Sequence, residues 1–250
     1  MIIENEIIKF DLMVESGEVC KEYDVNDLDI YSLYESYEFC NEGVSETFKN
    51  ILAKIKEVIL AIIKKIKEFF SNSKNNKKPL DSKSLAKLAN SDKTITIRGY
   101  SDSFLSWVAV VVKIIESDAR VNTFMALNNK LNNREFELFM QKYQKSLDEL
   151  NDKVPEEITI ELNKHVYDEY FKSMENCTKD IEIINNNLSD ILKQIQKING
   201  NQNLSNESAS QLLKILNINE AINKKALQIY QLQYKNSQTV YNACKAAINN

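Results

Sequence analysis

The stretch YDEYFKSMENCTKDIEIINNNLSDILKQIQKI, residues 167–198, places apolar or aromatic side chains at Tyr167, Tyr170, Met174, Cys177, Ile181, Ile184, Leu188, Ile191, Ile195 and Ile198. The steps alternate three and four without a break, which keeps all of these positions on one seam of an α-helix packed against another helix. A partner segment lies immediately downstream. Gly200, within INGNQNLS (residues 198–205), is suited to end the first helix, and Ser205 or Asn206 to cap the next. Leu227, Tyr230, Tyr234, Ser237, Tyr241, Cys244 and Ile248 then repeat the spacing, preceded by the denser group Leu212, Leu213, Ile215 and Leu216. With Pro155 in the first turn of the opening arm, the two arms span 156–198 and 206–248, each about 65 Å long at 1.5 Å per residue. The expectation is an all-α fold whose main feature, over residues 153–250, is a long antiparallel, coiled-coil-like helical hairpin. The same spacing would also be satisfied by seams that pair between two chains.

Upstream, residues 81–152 read as a small helical domain. In SFLSWVAVVVKIIESDARVNTFMAL (103–127), Ser101 or Asp102 is the expected N-cap, and the apolar run Phe104–Ile115 is interrupted by Lys113. That run is too short to span a bilayer and suits a core helix, with a re-entrant membrane segment as the other reading. NREFELFMQKYQKSLDELNDKV (133–154) aligns Phe136, Phe139, Met140, Tyr143, Leu147 and Leu150 on one helical face. Before both, LDSKSLAKLANSDKTITIRGY (80–100) suggests a short helix capped by Asp81 or Ser82. It then becomes an extended stretch in which Ile95 and Ile97 alternate with polar residues. That stretch has no obvious pairing partner and is either an edge ribbon or a connector. The helices of this domain are expected near the open end of the hairpin.

Charge is strongly segregated. Over the 250 residues the net charge is -4. Residues 1–42 nevertheless hold 12 acids against 2 lysines, and residues 43–80 hold 9 lysines against 3 acids. The rest balances, so an acidic leader precedes a basic segment, and the two are physically suited to associate. The start, MIIENEIIKFDLMVESGEVC, has acids where a secretory signal carries lysines, which makes the cytoplasm the expected place of synthesis.

The basic segment contains VSETFKNILAKIKEVILAIIKKIKEFF, residues 44–70. On a helical wheel Phe48, Ile51, Leu52, Ile55, Val58, Ile59, Ile62, Ile63, Ile66, Phe69 and Phe70 share one apolar arc. Lys49, Lys54, Lys56, Lys64, Lys65 and Lys67 lie outside it, and Leu60 is the one apolar residue out of place. This predicts a separate basic amphipathic helix over 43–70, joined to the remainder by a flexible linker over 71–80. Its apolar face could enter the protein's own core, lie in a membrane interface, or pack on a copy or another protein. The candidate interaction residues are Phe48, Ile51, Ile55, Ile59, Ile62, Ile66 and Phe69 on that face, with Lys49, Lys56, Lys64 and Lys67 opposite. Lysines interrupt every run long enough to span a bilayer.

Catalytic patterns are not found. The single histidine, His165, stands one position outside the seam and reads as an exposed helical residue. No nucleophile elbow, phosphate-binding glycine loop or dinucleotide fingerprint occurs. The four cysteines, Cys20, Cys40, Cys177 and Cys244, lack the spacing of a zinc site or a disulfide scaffold. A non-enzymatic protein without a cofactor or small-molecule substrate is expected. The three arginines, Arg98, Arg120 and Arg134, lie outside the lysine run, which favours non-specific over sequence-specific DNA contact.

Leader and helix together, YESYEFCNEGVSETFKNILAKIKEVILAIIKKIKEFF (residues 34–70), resemble the start of small virion or prohead-associated structural proteins of tailed bacteriophages. In these an acidic stretch reaching Glu-Gly precedes a Lys/Ile-rich amphipathic helix. The resemblance spans about residues 30–70. It implies that residues 1–42 are a propeptide, removed by a maturation protease after Glu42 at the Glu42–Gly43 bond. That pattern has Leu or Ile upstream of the glutamate, where Phe39 stands here. It further implies a virion location, and as partners other copies or other virion proteins, with non-specific DNA or peripheral membrane contact through the basic helix. Two other readings compete: a helical pore-forming or membrane-remodelling protein, and a cytoplasmic coiled-coil adaptor.

Overall fold

The computed structural model describes residues 44–73, 79–88, 93–201 and 204–249. Its elements in chain order are α1 (Val44–Ser73), α2 (Ser82–Leu88), β1 (Thr94–Gly99), α3 (Asp102–Leu127), α4 (Asn133–Asp152), β2 (Glu156–Glu161), α5 (Lys164–Asn199) and α6 (Asn206–Asn249). The fold is all-α, with one two-stranded ribbon as its only sheet among the described residues.

The seam on α5 forms as its spacing requires. Tyr167, Met174, Cys177, Ile181, Ile184, Leu188, Ile191, Ile195 and Ile198 are all buried, and Tyr170 is half-buried. They pack on α6 of the same chain, so the hairpin is intramolecular. Asn163 starts α5, its side chain accepting from the Val166 amide at 3.0 Å, and Ser205 caps α6 by accepting from the Ser208 amide at 3.1 Å.

α6 is more than the second arm. Residues 215–220 are buried without interruption, whereas a helix with one solvent face exposes part of every turn. Along its length α1, α2, α3, α4, α5 and β1 all pack on it. α6 is therefore the axis of the molecule, and the hairpin is its innermost layer.

The ribbon corrects the expected start of the first arm. Glu156–Glu161 is a strand, and α5 begins at Lys164, which shortens that arm to 36 residues, about 54 Å. Ile158 and Ile160 alternate with Glu157, Thr159 and Glu161, a period of two that suits a strand and leaves Pro155 just outside it. β2 is also the partner that Thr94–Gly99 lacked. They pair antiparallel with Ile95 opposite Ile160 and Ile97 opposite Ile158, and Ile97 and Ile160 are buried. The Arg98–Glu157 ion pair across the ribbon, at 3.2 Å, is exposed and contributes little.

The helices between the strands do not gather at the open end of the hairpin. At the start of α3, Tyr230 Oη donates to the Leu105 carbonyl at 3.3 Å, and nearby Asn236 donates to the Arg98 carbonyl. At its other end Asn201 Nδ2 donates to the Leu127 carbonyl at 3.0 Å, and Asn129 Oδ1 accepts from the Ser205 amide at 3.1 Å. α3 thus runs alongside the hairpin to its closed turn, and α4 returns from there. Asn129 itself has φ 54, a left-handed conformation that asparagine tolerates in a turn. Asp118 ties the pair together, accepting from Lys142 Nζ at 2.8 Å and Tyr143 Oη at 2.6 Å.

α1 likewise does not stand apart. It packs along α5 and α6, with Phe69 edge-on to Tyr234 at a centroid distance of 4.8 Å. It continues to Ser73, past the expected end at residue 70. The hydrophobic core as a whole lies between Phe48 and Cys244.

Changing Ile184 and Ile191 together to Asp places two carboxylates where both residues are fully buried. The cost is several kcal/mol for each, on the order of the whole stability of a domain. The expected outcome is loss of the cooperative melt in circular dichroism; an unchanged melt would refute the seam.

Candidate functional site

The two faces of α1 have different surroundings. Phe48, Leu52, Ile55, Val58, Ile59, Ile62, Ile63 and Ile66 are buried, and Ile51, Phe69 and Phe70 pack on the same core half-buried. Of the three uses open to this apolar arc, the structure realises the first: it is part of the protein's own interior. Burying such a stripe is worth roughly 1.5–3 kcal/mol per large side chain, an upper range, because the unfolded chain already hides part of it.

What α1 offers outward is mainly lysine, with Glu46, Glu57 and Glu68 exposed along the edge of the same side. Lys49, Lys56, Lys64 and Lys67 are exposed and line one side of the helix over about 27 Å. Lys54 and Lys65 flank that row half-buried, and Leu60, the residue outside the apolar arc, sits within it 46% exposed. Elsewhere basic side chains have acidic neighbours: Arg120 meets Glu116 and Asp190, Lys142 meets Asp118, Lys153 meets Glu156, and Lys193 meets Asp190. Among the described residues, none of Lys49, Lys56, Lys64 and Lys67 belongs to an ion pair. Counting the exposed Glu46, Glu57 and Glu68, α1 holds six lysines against three glutamates, so a moderate excess of positive charge remains on a core-anchored helix. Glu42 and Gly43, the candidate processing site, lie outside the described residues, as do Cys20 and Cys40.

A second exposed feature was not singled out in the sequence. Val110, Ile114, Val121 and Phe124 form an outward apolar row along α3, opposite its buried Val108, Val111, Val112, Ile115 and Ala119. The segment 104–115 is thus a core helix on one side and an apolar surface on the other. Helical phase could have separated these two sets, but the run is so uniformly apolar that its pattern hides which side faces inward.

Inside the molecule a polar layer crosses the helices. Asn187 Nδ2 donates to the Val112 carbonyl and to Asn223 Oδ1, both at 3.2 Å, and Asn223 Nδ2 donates to Asn219 Oδ1 at 2.9 Å. One turn from Asn223 lies Glu220, buried, with its Oε1 unpartnered among the described residues. Burial holds its carboxyl above the usual glutamate range, and Lys224 only partly opposes that shift. Cys177 and Cys244 are buried, and burial pushes the Cys244 thiol up to about 11, which makes it a packing residue. His165 is exposed at the start of α5. Among the described residues no three metal-binding side chains cluster.

No protein-family model, no curated protein and no solved structure matches the chain.

Two outcomes follow from this geometry. Changing Ile55 and Ile62 to Glu, which would spare the remainder if α1 stood apart, should instead lower the melting temperature of the whole protein by about 5 °C or more. A melt identical to that of the parent would mean that α1 is not part of the core. For Glu220, a folded-state pKa raised above 4.5 means that the native state binds the proton more tightly than the unfolded chain. Its contribution is complete below that value and is lost as pH rises through the folded pKa. Glu220→Gln should therefore raise the melting temperature at about pH 7 and change it little at about pH 4. Equal shifts at both would show that the carboxyl is not the source.

Proposed function

We propose that this is a non-enzymatic bacteriophage virion or prohead-associated structural protein that meets a polyanion, packaged DNA, through the lysine row of α1. The observation that carries the reading is the division of labour on α1. Its apolar face is enclosed, so what it presents to a partner is Lys49, Lys56, Lys64 and Lys67 with their half-buried lysine neighbours, in excess over the exposed Glu46, Glu57 and Glu68. Supporting it is the resemblance of residues 30–70 to virion proteins in which an acidic segment precedes such a helix. Lysines without arginine suit phosphate contact that does not read sequence. A rigid row also spends little ordering entropy when it binds.

A second reading, a helical pore-forming or membrane-remodelling protein, draws on the exposed apolar row of α3. Among the described residues, however, no helix is long and apolar enough to cross a membrane.

The test uses the chain beginning at Gly43, which retains every core residue among the described ones. Its affinity for a short DNA duplex, read by fluorescence anisotropy, should fall steeply between about 50 and 200 mM salt. Four phosphate contacts correspond to a log–log slope of about -3.6. Changing Lys49, Lys56, Lys64 and Lys67 to Glu should abolish binding and leave the melt intact. Salt-independent binding, or binding that survives the four changes, would sink the DNA reading. Leakage from anionic liposomes, lost on changing Val121 and Phe124 to Ser, would favour the membrane reading.

A further inference from the structure

We infer that the acidic residues 1–42 dock on the lysine row of α1 and mask it. This rests on the reading of that row as the binding face, and it names how the face is regulated. The argument begins with where charge is left over. In residues 81–250 acids and bases balance, with 21 of each, and the ion pairs found among the described residues lie between Arg98 and Asp190 or Lys193. The positive excess is on the α1 segment and the linker after it, and the negative excess, 12 acids against 2 lysines, is on residues 1–42. Each is the complement of the other.

Position in the chain adds to charge. The acidic segment ends where α1 begins, so the two are held together by a covalent link. Covalent linkage of that kind gives an effective concentration in the millimolar range for short flexible connections. At such concentrations even modest attraction keeps a surface occupied. Extended at about 3.3 Å per residue, residues 1–42 greatly exceed the roughly 27 Å of the lysine row, so reach is not limiting. The row also holds Leu60, an exposed apolar residue that a purely ionic face does not need, while the acidic segment contains apolar clusters such as Ile7, Ile8, Leu12, Met13 and Val14. A second polyanion must displace this occupant or await its removal. Screening by salt weakens an ionic contact with this exposed row as well.

Lysine reactivity in the full-length protein tests this without any nucleic acid. Brief acylation at low salt, read by peptide mass spectrometry, should modify Lys49, Lys56, Lys64 and Lys67 about threefold or more slowly than the exposed Lys130 and Lys172. High salt should remove the difference. So should a full-length variant in which all 12 acids of residues 1–42 are changed to the matching amides, Asp to Asn and Glu to Gln. Equal reactivity of all these lysines in the parent protein would overturn the masking. Slow reaction that persists in the variant would overturn it too, because something other than those acids would then cover the row. The readout is independent of the DNA measurement: protected lysines in a protein whose Gly43-start form ignores duplex DNA would retain the mask and remove the proposed ligand.

Discussion

Complete enclosure of α6 over residues 215–220 is the constraint on which the other elements depend. A helix can be dry on all sides only if neighbours cover its whole circumference, and along its length α6 packs against five helices and a strand. This explains why α5 is a seam with a single buried stripe, why α3 and α4 lie lengthwise, and why α1 has no freedom to act as a detached amphipathic helix. Each outer element contributes one apolar face to the same axis. The price appears in the polar groups carried along that axis: Asn219 and Asn223 find partners, whereas Glu220 leaves one oxygen without one among the described residues.

The consequence for function is a sorting of surfaces. An amphipathic helix free in solution could use either face, and sequence pattern alone leaves that open. Once Leu52, Ile59 and Ile66 are fully buried, what α1 leaves outside is ammonium groups, the aliphatic stems that carry them and the carboxylates of Glu46, Glu57 and Glu68. The apolar row on α3 is a different kind of surface, flanked by Arg120, itself held by Glu116 and Asp190.

How far the sequence disclosed this depended on whether a residue's role was local or collective. The seam from Tyr167 to Ile198 was legible because each position repeats one geometric rule. The caps at Asp81, Ser101 and Ser205 were legible for the same reason, since a cap needs only its own turn. β2 was not, because six residues after a proline fit a helix start as well as a strand, and the decisive fact is a partner some sixty residues earlier. The central role of α6 was hidden by its own composition. Asn217, Asn219, Glu220 and Asn223 read as a solvent face until neighbours on every side make them interior. The lysine row was visible as lysines, but its status as the outward side of a core helix required the packing.

Chain order gives the arrangement a further meaning during synthesis. The axis is α6, the last of the described elements to leave a ribosome, so the outer helices are made before the helix they surround. Until it appears, the isoleucine face of α1 has no interior to join, and contacts such as Phe69 with Tyr234 must wait for well over a hundred further residues. Folding is thus a late, collective event with long-range closure. In that interval the lysines interleaved with the isoleucines act as gatekeepers, keeping an oily nascent helix from finding the wrong partner.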